Sequence, residues 1–205
     1  MAIAISFGVC ALSAQAGTVF SLGNNPQTDE AVLFHDSCAF CVDGPALTVS
    51  GHTQGSDLTV NLTSDTNLTA VGPGHSTVST DTGFSTLSIA MPGYSFSSII
   101  LQLTSLSSAI DGTVVFTAHT VADGNISSAA LFDGHTGGNY FTITTDGGTL
   151  ITQLDITTTQ LQHDISQIRI GGSFVVPEPG TFGLAGIALG GLALFVRRRN
   201  RVRTI

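Results

Sequence analysis

The chain has 205 residues, a formal net charge of −8 at pH 7 and a mean hydropathy of +0.36. All six basic residues are arginines, and five of them lie within residues 197–203. Residues 17–176 carry thirteen acidic residues against Arg169 alone, a net charge of about −12 with histidine neutral. Because such a surface repels nucleic acid and anionic lipid, we expect no nucleic-acid partner.

The first segment, residues 1–16, is apolar and ends in Ala14-Gln15-Ala16. This ending fits the small-residue cleavage pattern of a secretory signal peptide, and cleavage after Ala16 would leave Gly17 as the mature N-terminus. A signal peptide normally opens with Lys or Arg, and none occurs here, so we hypothesise that the true start lies upstream. A buried N-terminal strand is the alternative.

Residues 17–174 are expected to form one extracytoplasmic domain with a sizeable core. Apolar residues alternate with polar ones there, a period of two that is typical of half-buried strands. The alternating apolar positions are Leu58, Val60, Leu62, Leu87, Ile89, Ile99, Leu101, Leu103, Phe141, Ile143, Leu154, Ile156, Ile168 and Ile170. Roughly ten to thirteen strands, with no convincing amphipathic helix among them, predict an all-β fold, an antiparallel β-sandwich of jelly-roll or immunoglobulin-like type.

Five Asp-Gly dipeptides separate the apolar runs of this region. They are Asp43-Gly44, Asp111-Gly112, Asp123-Gly124, Asp133-Gly134 and Asp146-Gly147. The dipeptide favours tight turns in which glycine takes a positive φ, so we expect hairpin turns at these places.

Cys38 and Cys41 form the only paired-cysteine motif, since Cys10 lies in the expected signal peptide. Outside the cytoplasm a disulfide is the default for such a pair. A redox role would require a βαβ fold of the thioredoxin type, which this pattern does not have. His35, Cys38 and Cys41 could supply three zinc ligands, but no second ligand pair is evident nearby. We therefore predict a local disulfide that holds the loop after the strand 31–34.

The remaining histidines are scattered without a metal-binding spacing and are expected at the surface or at strand edges. They are His52, His75, His119, His135 and His163. The densest group of potential oxygen ligands is formed by Asp123, Asn125, Asp133 and Asn139, with His135 among them, where carboxylates and turn carbonyls could hold calcium. The usual D-x-D-x-D-G loop is absent, and turn formation alone accounts for these residues. We predict no cofactor, with calcium as the alternative.

The sequence has no G-x-S-x-G elbow, phosphate-binding loop or dinucleotide-binding motif. Glu30 is the only glutamate before the C-terminal tail, which makes a glutamate-based glycosidase improbable. The absence of Trp, with only Tyr94 and Tyr140, also weakens a sugar-stacking site. We therefore predict that the protein is not an enzyme.

The C-terminal tail has three unlike parts in a fixed order. Val176, Pro177, Glu178 and Pro179 form an extended strip, because both prolines restrict the backbone. Residues 181–196 carry no charge and predict a single, rather short transmembrane helix. A basic stop-transfer cluster then follows, made of Arg197, Arg198, Arg199, Arg201 and Arg203. Positive charge resists translocation, so the cluster should remain cytoplasmic and residues before Pro177 should lie outside the cytoplasm. A buried C-terminal helix of a soluble protein is the alternative.

In this order, these three parts resemble the PEP-CTERM sorting signal, which would occupy residues 175–205. The resemblance implies recognition by a membrane transpeptidase of the exosortase type, with anchoring in the inner membrane before processing and delivery to the cell surface or extracellular matrix. It also implies a bacterium that makes exopolysaccharide, a second expected partner. We predict a structural or adhesive surface protein. The alternatives are a calcium-assisted glycan-binding module and, less favoured, a polysaccharide hydrolase.

Overall fold

The computed structural model describes residues 17–176, except 26–28, 35–37, 39–40, 72–75, 108–109, 136–137 and 147. The described residues form twelve strands and no helix, which confirms the all-β prediction. The strands are β1 Thr18–Leu22, β2 Glu30–Leu33, β3 Ala46–Thr53, β4 Thr59–Ala70, β5 Val78–Ala90, β6 Tyr94–Ser95, β7 Ser98–Ser105, β8 Gly112–Thr120, β9 Gly124–Phe132, β10 Asn139–Thr145, β11 Ile151–Gly171 and β12 Phe174–Val175.

Ten of these strands form one antiparallel sheet in the order β1-β10-β7-β11-β2-β3-β4-β5, with β8 pairing β11 and β9 pairing β8. The 21-residue β11 is the centre of this arrangement, because it also pairs with β5. Its first part, Ile151–Thr158, lies beside β8, and its second part, Gln162–Gly171, lies beside β7. The predicted alternating positions Ile156 and Ile170 therefore lie on one strand, which has irregularities in its pairing.

The sheet bends along a line that crosses β4, β5 and β11, where the pairing register shifts in each strand. Gly83 of β5 has a φ of 77°, and a Cβ there would come within 2.7 Å of the Leu161 side chain. Glycine is therefore required at the bend by both conformation and space. Next to it, the Asp65 carboxylate accepts hydrogen bonds from the Ser85 hydroxyl at 2.6 Å and from the Thr86 amide at 3.3 Å.

The bend lets the two parts of the sheet face each other across a single apolar core. Phe116 of β8 packs against Phe141 of β10 with ring centroids 4.9 Å apart, although these strands share no hydrogen bonds. Such contacts between strands of different layers define a sandwich-like arrangement. The core also includes every predicted alternating position except Leu58, which is partly buried and packs against it. The narrower jelly-roll or immunoglobulin-like assignment remains a prediction.

The Asp-Gly dipeptides fit the prediction only in part. Gly44 and Gly124 have positive φ values of 88° and 73°, and Asp123-Gly124 ends the tight turn between β8 and β9. Gly112 and Gly134 do not have positive φ, although Gly134 still lies in a turn after β9. Gly112 is instead the first residue of β8, where it pairs with Phe132. Gly147 lies outside the described residues.

The chain divides into two compact units, Met1–Ser173 and Phe174–Ile205. Only Phe174, Val175 and Val176 of the second unit are described, and they contain β12. Within the described part of the chain, no helix is both long and apolar enough to span a membrane. The predicted signal peptide at 1–16 and the predicted transmembrane helix at 181–196 both lie outside the described residues.

Candidate functional site

One outer surface of the domain carries two rows of mostly polar side chains that run across six strands. The first row is Ser127, Thr117, Asp155, Ser88, Thr63 and Thr48, each the register partner of the next. The second row is Asn125, His119, Gln153, Ala90 and Asn61, of which only Ala90 is apolar. All eleven residues are half-buried or exposed. We call this surface the polar face.

The polar face follows from the alternation of the strands. Successive residues of a strand point to opposite sides of a sheet, so the neighbours of these residues point inward. Phe116, Leu154 and Leu62 are such neighbours, and each is at most 1% exposed. The core-directed positions therefore fix which residues form the polar face.

Hydrogen bonds between neighbouring strands organise the polar face. The hydroxyls of Thr48 and Thr63 lie 2.9 Å apart, and those of Thr117 and Ser127 lie 2.8 Å apart. The carboxylate of Asp155 accepts a bond from Gln153 Nε2 at 2.8 Å, and its other oxygen lies 2.6 Å from His119 Nε2. Several side chains of the polar face are thus held in place by hydrogen bonds within the face itself.

Asp155 is the only carboxylate in the two rows. Its partial burial alone would raise its pKa, but the hydrogen bonds from Gln153 and His119 outweigh that effect and hold the pKa below its ordinary value. Asp155 therefore stays ionised near neutral pH, and the neighbouring hydrogen-bond donors stabilise its negative charge.

The structure divides the predicted calcium-binding region into two separate places. Asp123 and Asn125 lie at the turn end of the β8–β9 hairpin, whereas Asp133 follows its open end. The hairpin has nine paired positions, so these groups are about 25–30 Å apart. At the turn end, the hydroxyl of Thr149 donates to Asp123 at 2.9 Å. Asp123 and Asn125 are therefore not part of a common site with Asp133.

At the open end, an aspartate that the calcium hypothesis did not include joins the group. Nδ1 of His135 lies 3.4 Å from Asp111 and 3.3 Å from Asp133, and the possible ligand atoms of all three lie within 4.8 Å of one another. Asn139 accepts a hydrogen bond from the Asp133 amide at 2.9 Å and lies in the same group. A surface depression of about 630 Å³, lined in part by Tyr140, lies beside it.

Cys38 and Cys41 are joined by a disulfide in the structure, with Cα atoms 5.3 Å apart. Sγ of Cys41 lies 3.7 Å from Nδ1 of His52. His35, the histidine that the zinc hypothesis considered, lies outside the described residues. Sequence spacing could not indicate His52 here, because its approach to Cys41 depends on strand pairing rather than on distance along the chain.

Four residues form the predicted sorting strip, Val176, Pro177, Glu178 and Pro179, and only Val176 is among the described residues. The five arginines of the basic cluster also lie outside them. Residues 175–199 match the PEP-CTERM protein-sorting motif. This match confirms the resemblance seen in the sequence and is consistent with an exosortase-substrate PEP-CTERM protein. It implies export, membrane-anchored processing and sorting by an exosortase. No curated protein and no solved structure matches the chain.

Proposed function

We propose that this protein is a non-enzymatic structural or adhesive component of the cell surface or extracellular matrix. It is exported as a jelly-roll or immunoglobulin-like sandwich, anchored in the inner membrane by its tail, and then processed by an exosortase-type transpeptidase. The observation that carries the proposal is the sorting motif at residues 175–199. The exopolysaccharide of the matrix is the proposed partner.

The polar face supports an adhesive role through hydrogen bonding. It presents hydroxyl, amide and imidazole groups, and its rows contain no lysine, arginine or exposed aromatic residue. A hydrated, hydroxyl-rich polymer offers matching donors and acceptors. Because the side chains are partly ordered by their own hydrogen bonds, contact would cost less side-chain entropy than contact with a mobile surface.

The sorting proposal is tested by intact-mass spectrometry of the protein from its native host, with fractionation of membranes, cell surface and medium. We expect a species that starts at Gly17, ends near Pro177–Pro179 and lies outside the inner membrane. A full-length C-terminus retained in the inner membrane would contradict exosortase sorting. It would leave a simple tail-anchored exported domain.

The adhesive role of the polar face is tested by two lysine variants on β4. Thr63→Lys places a long charged side chain in the first row, whereas Thr69→Lys changes an exposed threonine beyond the bend of the same strand. We expect Thr63→Lys to release the protein from the matrix into the medium and Thr69→Lys to leave it bound. Equal retention of the two variants would exclude the polar face as the adhesive surface.

A calcium-assisted glycan-binding module is the second candidate function. The convergence of Asp111, Asp133 and His135 beside a surface depression favours it. Oxygen ligands suit calcium, although histidine is an uncommon ligand for this hard cation. In that case calcium should raise the melting temperature, EDTA should reverse the rise, and Asp133→Asn should abolish it. Asp123→Asn, at the other end of the hairpin, is the matched control. A melting temperature that calcium leaves unchanged would rule this candidate out.

A further inference from the structure

The cysteine pair and His52 lie together because the backbone holds them in place. Val42, directly after Cys41, exchanges two hydrogen bonds with Ser50, with N···O distances of 3.2 and 3.0 Å. Val42 therefore pairs in an antiparallel direction with the middle of β3. His52 lies two residues further along β3, where it pairs with Leu33 of β2 and Thr59 of β4. The position of His52 is thus fixed from both sides of its strand.

The three side chains offer a set of ligand atoms that suits a soft divalent cation. The sulfurs of Cys38 and Cys41 and a ring nitrogen of His52 all lie within 4.8 Å of one another, and all three residues are half-buried. Zinc binds thiolates at about 2.3 Å and imidazole at about 2.0 Å, so tetrahedral geometry places a sulfur and a nitrogen ligand about 3.5 Å apart. The 3.7 Å between Cys41 Sγ and His52 Nδ1 is close to that separation.

The disulfide is not expected to be essential for the fold. It links residues three positions apart, so it constrains the unfolded chain less than a bridge that closes a long loop. Neither cysteine belongs to the hydrophobic core cluster. The arrangement of Val42 and Ser50 and the position of His52 should therefore persist when the cysteines are reduced.

We propose that Cys38, Cys41 and His52 form a zinc-binding site that exists only when the disulfide is reduced. An external dithiol reduces the bridge: the S–S bond breaks, the cysteines gain two electrons and two protons, and the dithiol is oxidised to its own disulfide. Zinc then replaces the two thiol protons, which pass to solvent, and binds two thiolates and neutral Nδ1. A fourth position remains for water. This inference goes beyond the proposed structural role and does not depend on it.

The test uses the full-length chain in detergent with Cys10→Ser, so that Cys38 and Cys41 are the only thiols. Cobalt(II) serves as the spectroscopic probe, because thiolate ligation produces a charge-transfer absorption. We expect the reduced protein to bind one cobalt ion that zinc displaces, and the oxidised protein to bind none. Binding of equal strength in both redox states would overturn the proposal.

Histidine variants then test whether His52 is itself a metal ligand. His52→Gln should weaken cobalt binding to the reduced protein by at least about tenfold, since even indirect support of a metal ligand is worth that much. His163→Gln, on the partly exposed His163 of β11, is the matched control and should bind as the parent does. Circular dichroism of each variant establishes that the β-structure is retained. Equal binding by the two variants would exclude His52 as a ligand.

Discussion

The outer sides of the two layers are built differently, although β11 contributes to both. The polar face lies open to solvent. On the other layer, the segment after β1 covers the outer side of β10 and β7: the Asn25 amide donates to the Thr142 hydroxyl at 3.1 Å, and that hydroxyl donates to the Gly23 carbonyl at 2.8 Å. Thr142 is accordingly 1% exposed. We call this second surface the covered face. Of these two faces, the polar face is therefore the one whose described residues lie open to solvent.

The two faces also hold their carboxylates in different states. On the covered face, Asp29 accepts a hydrogen bond from the Ser98 hydroxyl at 2.7 Å, but its other oxygen is buried and has no hydrogen-bond partner among the described residues. Burial therefore raises the pKa of Asp29, against the opposing effects of Ser98 and Arg169. The pKa of Asp155 on the polar face is lowered instead. A covered sheet thus penalises a charge that an open, hydrogen-bonded sheet stabilises.

The largest expected difference between the faces concerns an apolar residue. Ile100 of β7 is 1% exposed but is not part of the central core cluster, so its burial lies on the covered side. Ile100→Ala should lower the free energy of unfolding by about 2–4 kcal/mol, because it leaves a cavity. Thr63→Ala on the polar face should change it by less than about 0.5 kcal/mol. Urea unfolding measures the loss of unfolding free energy in both variants. Similar losses would show that the two faces do not differ in this way.

Substitution at the bend between the two layers should change the free energy of unfolding by a smaller amount. Asp65→Ala removes the acceptor for Ser85 and Thr86 and should cost about 1–2 kcal/mol of unfolding free energy. Partial burial opposes ionisation of Asp65, but these hydrogen bonds prevail and lower its pKa. Its contribution should therefore be present above about pH 4 and be lost as the pH falls through the folded-state pKa. Asp81→Ala, at an exposed position of β5, is the control for urea unfolding at pH 3 and pH 7. Equal losses from the two variants at pH 7 would show that the bend does not need Asp65.

The smallest expected effect is a pH-dependent change of less than about 1 kcal/mol in the free energy of unfolding. Its sign differs between Asp29 and Asp155. Asp29 has a raised pKa, so its contribution to stability is full below about pH 4 and is lost as the pH rises. Asp155 has a lowered pKa, so its contribution is present above about pH 4 and is lost as the pH falls. The free energy of unfolding of Asp29→Asn, taken relative to the parent, should therefore be higher at pH 7 than at pH 3. That of Asp155→Asn, taken in the same way, should be lower at pH 7 than at pH 3. Melting temperatures at both pH values test this, and changes of the same sign would contradict it.

The sequence predicted the parts of the fold that depend on short-range pattern. Alternation identified the core positions because burial on one side of a strand repeats every two residues, as at Leu101 and Leu103. It could not reveal that β11 is one strand, since the irregularities around Thr158 and Gln162 interrupt the alternation that defines a strand. Asp-Gly pairs were also ambiguous, because Gly112 serves strand packing rather than a turn.

The candidate sites depend mostly on pairing between distant strands, which the sequence does not display. Asp111 joins Asp133 because β8 and β9 pair along their whole length, and His52 approaches Cys41 because Val42 pairs with Ser50. The polar face combines residues from Thr48 to Asp155 for the same reason. The sorting segment was predictable because its three parts are contiguous in the chain, and the motif match confirms it.

The position of β11 has a consequence for how the domain folds during export. A chain that crosses a membrane N-terminus first delivers β1 to β10 before β11, and local hairpins such as β8–β9 can form at once. The two layers cannot be joined until β11 arrives, because it pairs with β2, β5, β7 and β8. Such long-range pairing is slow, and unpaired strand edges invite aggregation until it is complete. Since β11 ends shortly before the sorting motif, the native pairing of the domain can be completed only when nearly all of the chain before that motif is available to fold.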